Sequence, residues 1–208
     1  MRHATATSAV LLLILLCAAP TAHAESEGLK LTVGARAGYG LPTGLVRGGE
    51  GHYDVRLNKV AKGIIPMQID AGTFLASRIY VGAFFQYAKG LAASECQGEC
   101  GVSAMRFGLA VSYHHPWSED LSPWLGVGAG YDILDADQMP SVMTGKLERV
   151  DATSKGFELG NVQAGLDFRL AGPVWFGPYV TATLARYKEQ DPRDHSWLMG
   201  GLRLMVRR

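Results

Sequence analysis

Beyond its first 24 residues the chain lacks any long hydrophobic run. The one sustained apolar segment, Ala9 to Cys17, is far shorter than the roughly 20 residues a membrane-spanning helix requires. Any passage through a bilayer would therefore be made by strands. Net charge is also missing. The formal total is +1, and taking away Arg2 with the leading segment leaves 19 basic against 19 acidic residues. That balance gives no sign of the basic excess a nucleic-acid-binding protein normally shows, and no nucleic-acid partner is expected. Cysteine is scarce at three residues, one of them in the leading segment. The remaining two, Cys96 and Cys100, have no other obvious ligands beside them, so neither a metal site nor a cofactor is expected.

The leading segment reads as a signal peptide. Arg2 supplies the positive start, Ala9 to Cys17 the apolar core, and Ala22-His23-Ala24 a small-x-small cleavage site before Glu25. Leu15-Leu16-Cys17 lacks the small residue a lipoprotein signal places before its cysteine. The expected organisation is residues 1–24 as signal peptide and 25–208 as one domain.

Glycine is abundant, 26 of 208 residues, which favours strands and turns over helices. Its placement is informative. In Trp124-Leu125-Gly126-Val127-Gly128-Ala129-Gly130-Tyr131-Asp132 every second residue is apolar and the alternate ones are mostly glycine. Period two marks a strand with one apolar face. A buried strand of a soluble α/β protein would be apolar on both faces. A soluble barrel of lipocalin type would also alternate, yet it has little reason to turn three glycines to water, since glycine weakens a strand. A membrane barrel with its apolar face to lipid and its glycine face to a narrow interior accounts for the pattern.

Seven more segments alternate in the same way. They begin near Leu29, Ile65, Ile79, Met105, Val162, Val174 and Leu198. The second is short and contains Pro66, which lacks a ladder donor and is expected at a strand start or a bulge. In the sixth, Phe157 and Leu159 keep the parity opposite to Val162, which predicts a bulge near Gly160-Asn161. The expected fold class is all-β, an eight-stranded antiparallel up-and-down transmembrane barrel. Long polar connections at Leu41–Gly63 and Asp135–Lys155 would lie on the outer side, and tight turns such as Ala171-Gly172-Pro173 on the inner side. Two aromatic bands are expected at the bilayer interfaces, Tyr39, Tyr87, Tyr131 and Tyr187 above and Tyr113, Trp117, Trp124, Phe168 and Trp175 below. The second face of the strands carries Arg36, Asp70, Arg106, Asp132, Asp167, Arg169 and Arg203, expected to form a polar network in the lumen, with the glycines making room for the arginines.

With these strands assigned, the chain resembles the small outer-membrane β-barrels of the OmpA/OmpX type. The resemblance rests on Pro123 to Tyr131, on Gln163-Ala164-Gly165-Leu166-Asp167-Phe168-Arg169, and on Gly200-Gly201-Leu202-Arg203-Leu204. It implies a Gram-negative outer-membrane location, contact with outer-membrane lipid, and insertion by the barrel-assembly machinery. Two departures stand out. Val206-Arg207-Arg208 stands where such barrels carry an aromatic used in assembly, and a peptidoglycan-binding domain with tethering to the cell wall is not expected.

The chemistry carried by the sequence is modest. Cys96 and Cys100, in one loop of an exported chain, read as a disulfide. His114 and His115 are neighbours in a strand and should face opposite ways. The same holds for His195 and Ser196 in Asp194-His195-Ser196, the one place where a lipid-modifying enzyme would find its residues. The expectation is therefore a monomeric, non-enzymatic barrel with a structural or surface-contact role, its outer loops available to an extracellular partner. A lipid-modifying enzyme and a narrow ion-conducting barrel are the alternatives. An eight-stranded barrel is only just wide enough for its own side chains, which disfavours the second.

Overall fold

The computed structural model describes residues 30–49, 52–75, 77–92, 101–140, 147–188 and 193–207. Nine strands and one helical turn follow one another: β1 Leu31–Gly49, β2 His52–Arg56, α1 Leu57–Val60, β3 Ala61–Leu75, β4 Ile79–Ala92, β5 Val102–His114, β6 Leu121–Pro140, β7 Leu147–Ala171, β8 Val174–Tyr187 and β9 Arg193–Arg207. All pairings are antiparallel: β1 pairs with β2 and, past it, with β3, each strand from β3 to β9 pairs with the next, and β1 pairs with β9 from Thr32↔Arg207 to Gly44↔His195. β1 and β3 to β9 are thus the eight staves of a closed ring without an open edge, and β2 pairs with β1 alone. Among the described residues no helix is long and apolar enough to cross a membrane.

The period-two pattern sets which face each side chain takes. On β6, Leu125 and Val127 are 59% and 58% exposed, while Trp124, Gly126 and Asp132 face the interior. The same apolar-out order holds on β3 with Met67 and Ile69, on β5 with Leu109 and Val111, and on β9 with Leu198 and Leu202. Phe85, Phe107, Tyr131 and Phe157 lie opposite one another on adjacent strands and form an aromatic row across the outside of β4 to β7. A wall apolar outside and polar inside is the surface of a barrel that spans a membrane. The lipocalin-type alternative, with the apolar face inward, is excluded.

Several boundaries differ from expectation. β3 is fifteen residues long and begins at Ala61, so Pro66 lies well inside it. The β1–β3 ladder is interrupted beside it, passing from Ala37↔Met67 to Gly40↔Ile64, which answers the missing proline donor. The segments read as long loops are largely strand. β1 continues to Gly49 and folds back through β2, and β6 and β7 run on to Pro140 and from Leu147. Ladder bonds such as Asp135↔Thr153 and Met139↔Glu148 satisfy that backbone, so polar composition there marks strands that leave the apolar belt. The bulge in β7 falls at Leu159-Gly160. Leu159 is extra against both neighbours, which lets Glu158 and Asn161 share the inner face. At the other end the β7–β8 turn takes Gly172 to φ +51°, a left-handed conformation suited to glycine. The signal peptide and the Cys96–Cys100 pair lie outside the described residues.

Candidate lumen network

The lumen has two levels. Towards the long-strand end, β2 and α1 fold inward over the mouth, and α1 touches β6 on the far side of the ring. Leu57 and Val60 of α1 pack with Val46, Ile64, Leu134 and Trp197 in one buried apolar cluster. The sequence pattern did not show this cap, since it arises within the segment read as a polar loop. Leu57 and Val60, three apart in Leu57-Asn58-Lys59-Val60, carried the only local sign of it, the spacing of one helix face.

Below the cap a single hydrogen-bonded chain crosses the barrel. Gln86 Oε1 accepts from Arg106 Nη1 at 2.8 Å, and Arg106 Nε donates to Glu158 Oε2 at 2.7 Å. Glu158 accepts a short hydrogen bond from Asn161, and Asn161 Oδ1 accepts from Gln163 Nε2 at 2.6 Å. Gln163 Oε1 then accepts from Arg36 Nη1 at 2.7 Å, and Arg36 grips Asp70 through Nε and Nη2 at 2.8 and 3.3 Å. Gln68 closes the chain on Asp70 at 2.7 Å. Arg36 also lies between the Trp124 and Tyr179 rings, 5.4 Å from each centroid. Opposite charges removed from water need this degree of hydrogen bonding to be tolerated.

A second cluster fills the short-turn end. Asp167 accepts from Trp124 Nε1 at 3.2 Å and makes a short ion pair with Arg207. His114 sits 3.2 Å from Arg207 and 3.0 Å from Ser112 Oγ, and its ring stacks on Trp124. Arg203 stands over the Trp124 ring at 4.4 Å, and Arg207 over Trp175 at 4.3 Å. Near the cap, Asp132 Oδ2 lies 3.1 Å from His195 Nε2, and His195 stacks on Tyr187 at 3.9 Å.

Of the seven charged residues expected in the lumen, six are buried there, in separate groups. Arg36 with Asp70 and Arg106 belong to the crossing chain, Asp167 and Arg203 to the short-turn cluster, and Asp132 to the His195 pair. Arg169 is outside the network. It is exposed at the short-turn mouth, 4.9 Å over the Trp175 ring, because β7 ends two residues later. Three aromatics expected in the interfacial bands point inward instead, Trp124, Trp175 and Tyr187. Their parity places them with the lumen residues, where two of them serve as faces for arginines. The glycines of β6 serve a different purpose from the expected one. A Cβ on Gly126 would come 2.7 Å from the Ser112 Cβ, and one on Gly128 would come 2.9 Å from Asn161 Nδ2. They admit close neighbours on adjoining strands rather than arginines. Glu158, Asn161, Gln163 and Gln86 complete the network without having been expected in it, and His195, weighed only as a partner of Ser196, joins Asp132 instead. Glu158 was findable, since it alternates with Phe157 and Leu159. Among the described residues no group of His, Cys, Asp and Glu could hold a metal ion.

No protein-family model and no curated protein sequence matches the chain. Among solved structures it is similar to neisserial surface protein A, NspA, at 12% identity and a TM-score of 0.57, over 83% of this chain and 95% of that one. Two further similarities are to the outer membrane protein AlkL, at 17% identity and a TM-score of 0.45 over 91% and 96%, and to Ail, the attachment invasion locus protein of Yersinia pestis, at 14% and 0.41 over 84% and 98%. With the closed ring of eight staves, the likeness to NspA establishes that this chain has the fold of the small eight-stranded outer-membrane barrels.

Proposed function

We propose that the chain is a monomeric outer-membrane barrel protein, structural or engaged in surface contact, that acts through its long-strand end and neither transports through its lumen nor catalyses a reaction. The observation that carries this reading is the closure of the interior. An apolar cap, a hydrogen-bonded chain from Gln86 to Gln68 and an aromatic–arginine cluster succeed one another along the axis. With the lumen filled, what remains for an outside partner is the part of the wall that leaves the belt, the β1–β2 hairpin and the extended ends of β6 and β7. A non-enzymatic role is supported at the one histidine–serine pair. His195 turns inward to Asp132, while Ser196 is on the other parity and Asp194 is engaged by exposed Arg186.

Insertion would proceed through the barrel-assembly machinery, and lipid would cover the apolar belt. The test is membrane fractionation with heat-modifiable gel mobility, combined with an epitope inserted between residues 143 and 144. Recovery in the outer-membrane fraction, with the epitope recognised on intact cells, is expected. Recovery as a soluble periplasmic protein, or an epitope reached only after permeabilisation, would overturn the proposal.

A further inference from the structure

Among the described residues, the charges do not match one for one where the crossing chain meets the short-turn cluster. Three guanidinium groups, Arg36 of the crossing chain and Arg203 and Arg207 of the cluster, lie there with two carboxylates, Asp70 and Asp167. Arg36 takes Asp70 through two donors, and Arg207 holds Asp167 in a short pair. Arg203 is left with an approach of 3.9 Å to Asp167, beyond hydrogen-bond reach, and one N–H directed at the Met205 sulfur at 3.0 Å. A thioether is a weak acceptor. Among the described residues Arg203 Nε and Nη1 have no hydrogen-bond partner, although the side chain is only 1% exposed. Its Cα lies directly opposite that of Arg36 in the β1–β9 ladder, an arrangement that sets like charges side by side. Two further polar groups at the same end, Thr32 Oγ1 and Tyr80 Oη, are buried without partners among the described residues.

We propose that a single small monovalent anion of halide size binds in the lumen against Arg203. A buried guanidinium whose nearest carboxylate stands 3.9 Å away and is already held by Arg207, and whose Nε and Nη1 are unpaired, is best served by a group with both acceptor lone pairs and negative charge. Water offers lone pairs without charge, whereas a halide offers both. A polyatomic anion is disfavoured, because the interior of an eight-stranded barrel is nearly filled by its own side chains. Entry is from the short-turn mouth, where the partly exposed Arg207 and the exposed Arg169 give a positive approach.

The experiment uses the full chain folded in detergent micelles, with chloride as the probe followed by the line width of its NMR signal. Wild-type protein is expected to broaden the chloride signal, and added bromide to reverse the broadening by competition. Arg203→Met, checked for folding by heat-modifiable mobility, should lose it, and Arg186→Met, at the opposite end, should keep it. Broadening that persists in a folded Arg203→Met, or none in wild type, would overturn the proposal. Independently of any variant, crystals grown in bromide should give an anomalous peak in contact with an unpaired donor of Arg203, Nη1 or Nε. A site there filled by water or by the Asp167 carboxylate would equally overturn it.

Discussion

The two ends of the lumen solve the same problem with opposite chemistry. At the long-strand end, Leu57, Val60, Ile64 and Trp197 fill the space as a soluble core would, by excluding water from apolar surface. At the short-turn end and through the middle, arginines, carboxylates and indole faces fill it by mutual pairing. The difference follows from where the material comes from. The cap begins with chain that folds back after leaving the belt, Leu57 and Val60, whose sequence is free of the barrel's alternation and which meets apolar inner residues of the staves such as Ile64 and Trp197. The lower filling has to come from the inner positions of the staves, every second residue, in strands whose other face is committed to lipid. Long arginines reach across a lumen from such positions, and short aliphatic side chains do not. The comparison teaches that failure should differ in kind. Apolar filling fails by leaving a cavity, ionic filling by leaving a charge.

The largest effect is therefore expected in the ionic part. Arg106→Met leaves Glu158 buried without its guanidinium partner and should lower the stability of the folded barrel by about 3–5 kcal/mol, read from urea unfolding in lipid vesicles. Arg106→Met with Glu158→Leu should recover most of that loss, because no charge is then stranded. If the double variant is no better than the single one, the penalty is not one of stranded charge. In the cap, Leu57→Ala should cost about 2–5 kcal/mol by transfer and cavity terms, and Leu57→Met very little. A cap that tolerates alanine without loss would mean that it is not packed in solution.

Smaller effects test the wall between these fillings. Gly108 lies opposite Gly130, and a Cβ there would meet the Ala129 carbonyl oxygen and the Gly130 Cα, which are backbone. A Cβ on Gly128 would also meet backbone, the Leu109 carbonyl oxygen at 2.7 Å, but less closely, and its other neighbours belong to the Asn161 amide, which can move. Gly108→Ala should thus cost more than Gly128→Ala, with overpacking losses of about 1–3 kcal/mol setting the scale. Equal losses would break the distinction. The smallest effect belongs to the exposed pair Arg186–Asp194, joined at 2.6 and 3.0 Å outside the lumen. The hydrogen bond from Arg186 holds the Asp194 carboxyl below its ordinary value of 3.8, so its contribution is present above that pH and is lost as pH falls through the lowered value. Solvent and salt screen it. Arg186→Ala should leave the unfolding midpoint at neutral pH unchanged, in contrast with the buried Arg106.

Much of the barrel was legible because alternation is a direct consequence of strand geometry, and each stave had to satisfy it against lipid. Leu125, Val127 and Ala129 opposite Gly126, Gly128 and Gly130 could be assigned to faces from the chain alone. Arg36, Asp70, Arg106, Asp132, Asp167 and Arg203 fell on the inner face by the same parity. Residue type misled where it competed with parity. Trp124, Trp175 and Tyr187 look like interfacial anchors, yet their positions alternate with lipid-facing residues and so turn them inward. Strand length was illegible beyond the belt, because polar residues such as Gln138 and Thr153 serve equally well in a ladder and in a loop once neither face meets lipid. Partners across the lumen were also out of reach. The contact between Asp132 and His195 depends on which staves face each other, and alternation along one strand carries no information about the far wall.

The most direct test of the account is which face of β6 meets lipid. A nitroxide placed through Val127→Cys in the vesicle-embedded barrel should collide with oxygen dissolved in the bilayer and be shielded from a water-soluble nickel chelate. One placed through Ser112→Cys, beside Gly126 on the inner face, should be shielded from both. A label at 127 that the nickel chelate reaches, together with one at 112 that oxygen reaches, would contradict the account.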